Sequence, residues 1–199
     1  MKKSFIILVI LLLILSLLAA CGPAENSGGE TATDDEPVPA DSHQDAAQTF
    51  LTLMLEDDAE LQQAILDNVA AINMGMIAPT DEQRQAMNDA AARLDSLLRD
   101  RFGSLLTADQ LDRRIRDGSL MQYQQLQAGT GAVLRLSDCQ FSEDGSHLEY
   151  TAQVECVADG VSQSVPIQGE IDFDAAGLIE YFNADSLGQL SKVLTAAGR

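Results

Sequence analysis

The chain has 199 residues, with 31 Asp plus Glu against 12 Lys plus Arg and a formal charge of −19. That length holds one ordinary domain once a leader and a tail are set aside, which excludes a two-lobed protein of the transport-substrate type. The charge excludes nucleic acid as a partner, and three Tyr, six Phe and no Trp argue against a face that stacks sugars or bases.

Residues 1–20 carry Lys2 and Lys3, then an apolar run from Phe5 to Ala20 that only Ser16 interrupts, and no acid. This is the layout of an export signal. A spanning helix needs about 20 apolar residues, so a shorter run ending in small residues favours a cleaved leader over an anchor helix with a chance cysteine. The run ends in Leu18-Ala19-Ala20-Cys21-Gly22, which resembles the lipobox of bacterial lipoproteins. The resemblance implies that the Cys21 thiol receives a diacylglyceryl group and becomes the new N-terminus after cleavage. It also implies an extracytoplasmic protein whose membrane partner is reached through that lipid. The site is the outer face of the cell membrane, or the outer membrane in a diderm host. Gly22 stands where retention at an inner membrane would usually show aspartate.

Residues 21–42 read as an acidic, disordered tether. Six acids, three Pro, three Gly and one large aliphatic side chain, with no Lys or Arg, cannot build a core. Such a segment spans from roughly 25 Å as a coil to about 65 Å when stretched, and its like charges favour the longer end. Its carboxylates are not preorganised for a metal. Removal of residues 1–20 leaves ten basic residues against 31 acidic ones, a charge of −21 that repels anionic headgroups and holds the body off the bilayer.

Residues 43–199 read as a single α+β domain. Ser42-His43-Gln44-Asp45 has the pattern of a helix start, and Ala46, Ala47, Phe50, Leu51, Met54 and Leu55 recur at helical spacing behind it. A second stretch with Leu61, Ala64, Ile65, Val69 and Ile72 follows the acidic step Glu56-Asp57-Asp58, which leaves open a break or a bend. Thr80-Asp81-Glu82-Gln83 restarts a helix whose apolar face includes Met87, Leu94 and Leu98 and which ends at Phe102-Gly103. Thr107 caps a short helix running to Asp117-Gly118, and residues 119–131 fit no period.

From Ala132 the period becomes two. A two-residue turn at Asp159-Gly160 places Leu148, Tyr150, Ala152 and Val154 opposite Ile171, Gly169, Ile167 and Val165 on one face, with Glu149, Thr151, Gln153 and Glu155 on the other. Strands are also expected over 133–141 and 178–184, and Asp185-Ser186 is placed to cap a last helix with Leu187, Leu190, Val193 and Leu194. Amphipathic helices followed by about four antiparallel strands predict helices covering one face of a curved sheet.

The closing run Gly169-Glu170-Ile171-Asp172-Phe173-Asp174-Ala175-Ala176-Gly177-Leu178-Ile179, with this element order, resembles the NTF2-like and cystatin-like domains that small bacterial lipoproteins often carry. A C-terminal helix, and no clear strand between the helices, depart from that group. The resemblance implies one enzymatic option, since some NTF2-like proteins use a tyrosine and a carboxylate in the sheet concavity. Tyr150 is then the tyrosine, with Asp138 or Asp172 as acid, although the register puts Asp172 on the opposite face and a core role for Tyr150 is simpler.

Few other residues invite chemistry. Cys139 and Cys156 are the disulfide candidates once Cys21 is lipidated, but a hairpin around Asp144-Gly145 sets Cys139 opposite Tyr150 and Cys156 about 20 Å away, so both are expected unbridged, with Cys156 in the core. His43 and His147 lack any metal or acid-paired spacing and read as solvated. Arg113-Arg114-Ile115-Arg116 reads as a solvated helix end. No catalytic, cofactor or metal residue is therefore assigned. The leading expectation is a lipid-anchored, non-catalytic domain that binds a protein, peptide or small molecule. An assembly part with an exposed apolar helix patch, and the Tyr150 enzyme, are the alternatives.

Overall fold

The computed structural model describes residues 40–74, 78–184 and 187–197, all within one compact unit, Glu36–Arg199. The leader, the lipobox with Cys21, nearly all of the tether and the Asp185-Ser186 cap lie outside the described residues.

Helix α1, Ala40–Leu55, starts two residues ahead of Ser42. It buries Ala47, Phe50, Leu51, Met54 and Leu55, the stripe its spacing predicts. At Glu56-Asp57-Asp58 the chain breaks rather than bends, because Asp58 Oδ1 accepts the Leu61 amide at 3.0 Å and so caps a new helix, α2, Ala59–Met74. Burial pushes the Asp58 carboxyl up. The Leu61 amide and Arg101 outweigh it, leaving the group below its ordinary value.

Helix α3, Asp81–Phe102, opens on a complete capping box between Thr80 and Gln83. It runs antiparallel to α2, with Arg101 on Asp58 and Glu60 at 3.0 and 2.9 Å and Arg93 on Asp67 at 3.3 Å. Only its second half enters the core, through Leu94, Leu98 and Phe102. Helix α4, Ala108–Asp117, is capped by Thr107 and closed by Gly118 at φ 74°.

Residues 119–131, which the sequence leaves without a period, hold helix α5, Gln122–Thr130. Its polar composition hides it because two glutamines point inward. Gln127 Nε2 donates to the Leu55 carbonyl at 2.9 Å, and its Oε1 accepts the Leu134 amide at 2.9 Å. Gln124 Nε2 donates to the Glu56 carbonyl, and its Oε1 accepts from Gln62 at 3.1 Å. Both are buried. They satisfy backbone groups that the α1–α2 break and the start of the sheet leave without helix or ladder partners.

Four antiparallel strands follow in the order β1-β2-β3-β4: β1 Val133–Asp144, β2 His147–Ala158, β3 Val161–Phe173 and β4 Ile179–Ala184. The sheet is open, since β1 and β4 are its two edges. Pairing of β2 with β3 is the predicted one, Leu148 with Ile171 through Val154 with Val165. The turn holds positive φ at Asp159 and Gly160, 50° and 78°, the geometry of a tight hairpin turn.

Pairing of β1 with β2 differs from the expectation. The turn residues are Gly145-Ser146, with Asp144 opposite His147, so Phe141 rather than Cys139 faces Tyr150. A bulge at Asp138-Cys139, with Asp138 at φ 51°, then changes which residues face inward. Leu134 and Leu136 share a row with Cys156 and Val154, and beyond the bulge Phe141 shares one with Tyr150.

The α-helices cover the inner face, where Phe50 meets Phe102 and Phe182 edge-on at 6.0 and 4.8 Å. The last helix, α6, Leu187–Ala197, buries Leu190 and Leu194 against β2, β3 and α5. The protein is thus α+β, helices on one face of a four-stranded antiparallel sheet.

Candidate functional site

Between Val133 and Val157 at one end and Tyr181 at the other, the middle of the sheet's outer face carries mostly polar side chains. Rows set by the register run Gln140, Thr151, Gln168, then Ser137, Gln153, Pro166, then Arg135, Glu155, Ser164. Across the first two rows lies an open groove of about 680 Å3, lined by Asp138, Gln140, Thr151, Gln153, Pro166, Gln168 and Gln189, with Ala152 and Ile167 at its floor. The bulge shapes one side, because a residue inserted into β1 bends the strand and turns Asp138 onto the groove. Five of the nine lining residues, Gln140, Thr151, Gln153, Gln168 and Gln189, carry an amide or hydroxyl, so beside an apolar part the groove offers paired donors and acceptors and one charged group, Asp138. Part of this set is ordered internally, with Ser164 Oγ donating to Gln153 Oε1 at 2.9 Å.

His43 departs from the solvated reading while His147 stays at the surface, and both have carboxylate partners at the turn end of the sheet. His43, on α1, is 6% exposed. Its Nδ1 donates to Glu143 Oε1 at 2.8 Å, and its ring stacks on Phe173 at 4.4 Å between centroids. His147 keeps a partly exposed side chain but lies 2.5 Å from Asp172 Oδ1, and this carboxylate holds its pKa above the ordinary value. Partners 100 and 25 residues away leave no spacing signal in the chain.

Arg114 is likewise not a solvated helix end. It is half-buried on α4, with its guanidinium 4.0 Å over the Phe182 ring and Nη2 donating to the Phe182 carbonyl at 3.1 Å. Arg113 and Arg116 are exposed.

Tyr150 is buried on the inner face at 2% exposure. Asp172 lies on the outer face bound to His147, and Asp138 lines the outer groove. The structure does not bring either carboxylate to the tyrosine's face. Cys156 is buried and Cys139 half-buried, both thiols are free, and burial pushes both pKa values up. Among the described residues no three His, Cys, Asp or Glu side chains cluster in a way that could hold a metal ion.

The bulge was legible in principle. Apolar residues alternate on even numbers at Leu134 and Leu136 and on odd numbers at Cys139 and Phe141, and such a phase jump marks one extra residue.

No protein-family profile matches the chain, and no curated protein does. Among solved structures it is similar to a de novo designed β-sheet protein determined by solution NMR, at 17% identity and a TM-score of 0.30, over 64% of this chain and 88% of that one. A likeness of that degree carries no statement about fold or activity.

Proposed function

We propose that this protein is a lipid-anchored, extracytoplasmic lipoprotein whose α+β body is a non-catalytic binding domain, and that the outer groove of the sheet is its binding surface. The observation that carries the reading is the groove. Its rows of amide and hydroxyl groups suit an extended polar ligand, a peptide above all, which needs alternating donors and acceptors. The lipobox and acidic tether supply the anchor and the reach. Within this reading the fold is of the NTF2-like or cystatin-like kind, supported by helices that precede and cover an antiparallel sheet, with α6 as the departure.

Two experiments test it. Labelled palmitate should enter the wild-type chain and not Cys21→Ser. Amide shifts on titrating random hexapeptides into the full chain in detergent micelles should gather at residues 137–140, 151–153 and 166–168, and Thr151→Trp should abolish them. Shifts confined to other faces would remove the groove from the proposal, and a Cys21→Ser form that keeps the label would remove the anchor.

One observation favours a second reading, an assembly part of an envelope complex. Leu66, Val69, Ile72 and Met74 on α2 stand 45%, 37%, 45% and 63% exposed, beside the buried Ala64, Ile65 and Ala71 of the same helix. Light scattering on Leu66→Glu/Ile72→Glu against wild type separates the readings. A strictly monomeric wild-type protein without crosslinked neighbours counts against assembly.

A further inference from the structure

We propose that the cleft between α4, α5 and the end of β4 binds a small monocarboxylate with an apolar body, anchored by Arg114. The chain's abundance of acid makes this arginine unusual. Arg84, Arg93, Arg99 and Arg101 each lie within 4 Å of an aspartate, and Arg113, Arg116 and Arg135 are exposed to water. Arg114 is half-buried and has no carboxylate within that distance among the described residues.

Its geometry is that of an anchor awaiting an acceptor. Phe182 removes water from one face of the guanidinium and fixes its plane, and the Phe182 carbonyl takes one Nη2 proton. Nε is buried with no acceptor within hydrogen-bonding distance. A desolvated donor on a cation costs free energy until it is paired, and a planar fork pairs best with a carboxylate.

The cleft of about 250 Å3 beside it narrows the class. Met54, Tyr123 and Phe182 supply its apolar part, and Ser119, Gln122 and Asn183 its neutral polar part beside Arg114. Its size suits a short branched acid or a single residue, below the range of drug-sized ligands. One cation within so acidic a chain favours a single negative charge over a phosphate dianion. A free acid and the C-terminal residue of a peptide share this chemistry.

The test uses the full chain in detergent micelles, followed by amide chemical shifts. Isovalerate should shift Arg114, Asn183 and Gly188, and isovaleramide, the neutral isostere, should bind at least tenfold more weakly. Arg114→Gln should lose the difference between acid and amide, with Arg114→Lys intermediate because it keeps charge without the fork. N-acetyl-glycyl-valine binding more tightly than isovalerate assigns the site to a peptide terminus, and binding more weakly assigns it to a free acid. Equal affinity for acid and amide overturns the proposal, and that comparison needs no variant to fold. Inorganic phosphate binding more tightly than isovalerate overturns the ligand class.

Discussion

His43 and Glu143 stand 100 residues apart in the chain and 2.8 Å apart in the fold, and the pair docks the first turns of α1 onto the end of β1. The first described helix is thereby fastened to the sheet. His43→Ala removes the stack on Phe173 and leaves a buried carboxylate oxygen without its donor, and should cost about 2–4 kcal/mol in urea unfolding. Glu143→Gln keeps an acceptor and should cost less than His43→Ala. An unchanged midpoint for His43→Ala would show that these turns are undocked in solution.

Gln127 bridges the end of α1 to the start of β1. Gln127→Leu conserves much of the volume but strands the Leu55 carbonyl and the Leu134 amide. At about 1–3 kcal/mol for each buried group left unpaired, the expected loss is about 2–4 kcal/mol, larger than for any exposed glutamine of α5. Chemical denaturation of Gln127→Leu beside Gln125→Leu checks this, and equal stabilities would refute the bridge.

His147 should titrate above the free imidazole, because Asp172 stabilises its charged form and Glu170 and Glu149 add to the field. Asp144, its cross-strand partner on β1, is a further carboxylate on that face. A pKa raised on folding stabilises the native state fully below the unfolded value near 6.5 and ceases to do so as pH rises through the folded value. Proton NMR should show the His147 ring titrating high in the wild type and falling back in Asp172→Asn. A His147 pKa unmoved by that substitution would contradict the pairing.

The two thiols should alkylate slowly in the native protein, Cys139 faster than Cys156, since the first is half-buried at the bulge and the second is core. The register pairs Cys156 with Leu134, five residues from Cys139 along β1, too far for a bridge. Intact mass after full unfolding should be the same with and without reductant. A two-dalton difference would mean that the strand pairing is different.

Elements with local causes were legible in the sequence. Capping at Thr80 and Thr107 comes from side chains three residues from the amides they accept, and the β2–β3 register follows from two turn residues that tolerate positive φ. Apolar residues at helical spacing marked the buried side of α1. Helix α5 was not legible, because its inward glutamines serve backbone groups of other elements, and a polar residue that caps a distant helix has the same letter as one in water. The β1–β2 register failed for a mixed reason, a turn displaced by one residue combined with a bulge whose phase jump is short.

By itself the sequence determined the helices that carry an apolar stripe or a local cap and the faces that β2 and β3 bury, because these depend on residues within a few positions of one another. The tertiary structure alone decided that His43 would meet Glu143, that His147 would meet Asp172 and that Arg114 would lie over Phe182 with its Nε unpaired. Those relationships join side chains from separate elements, and their distances are set by how the helices settle on the twisted sheet, which no spacing along the chain encodes.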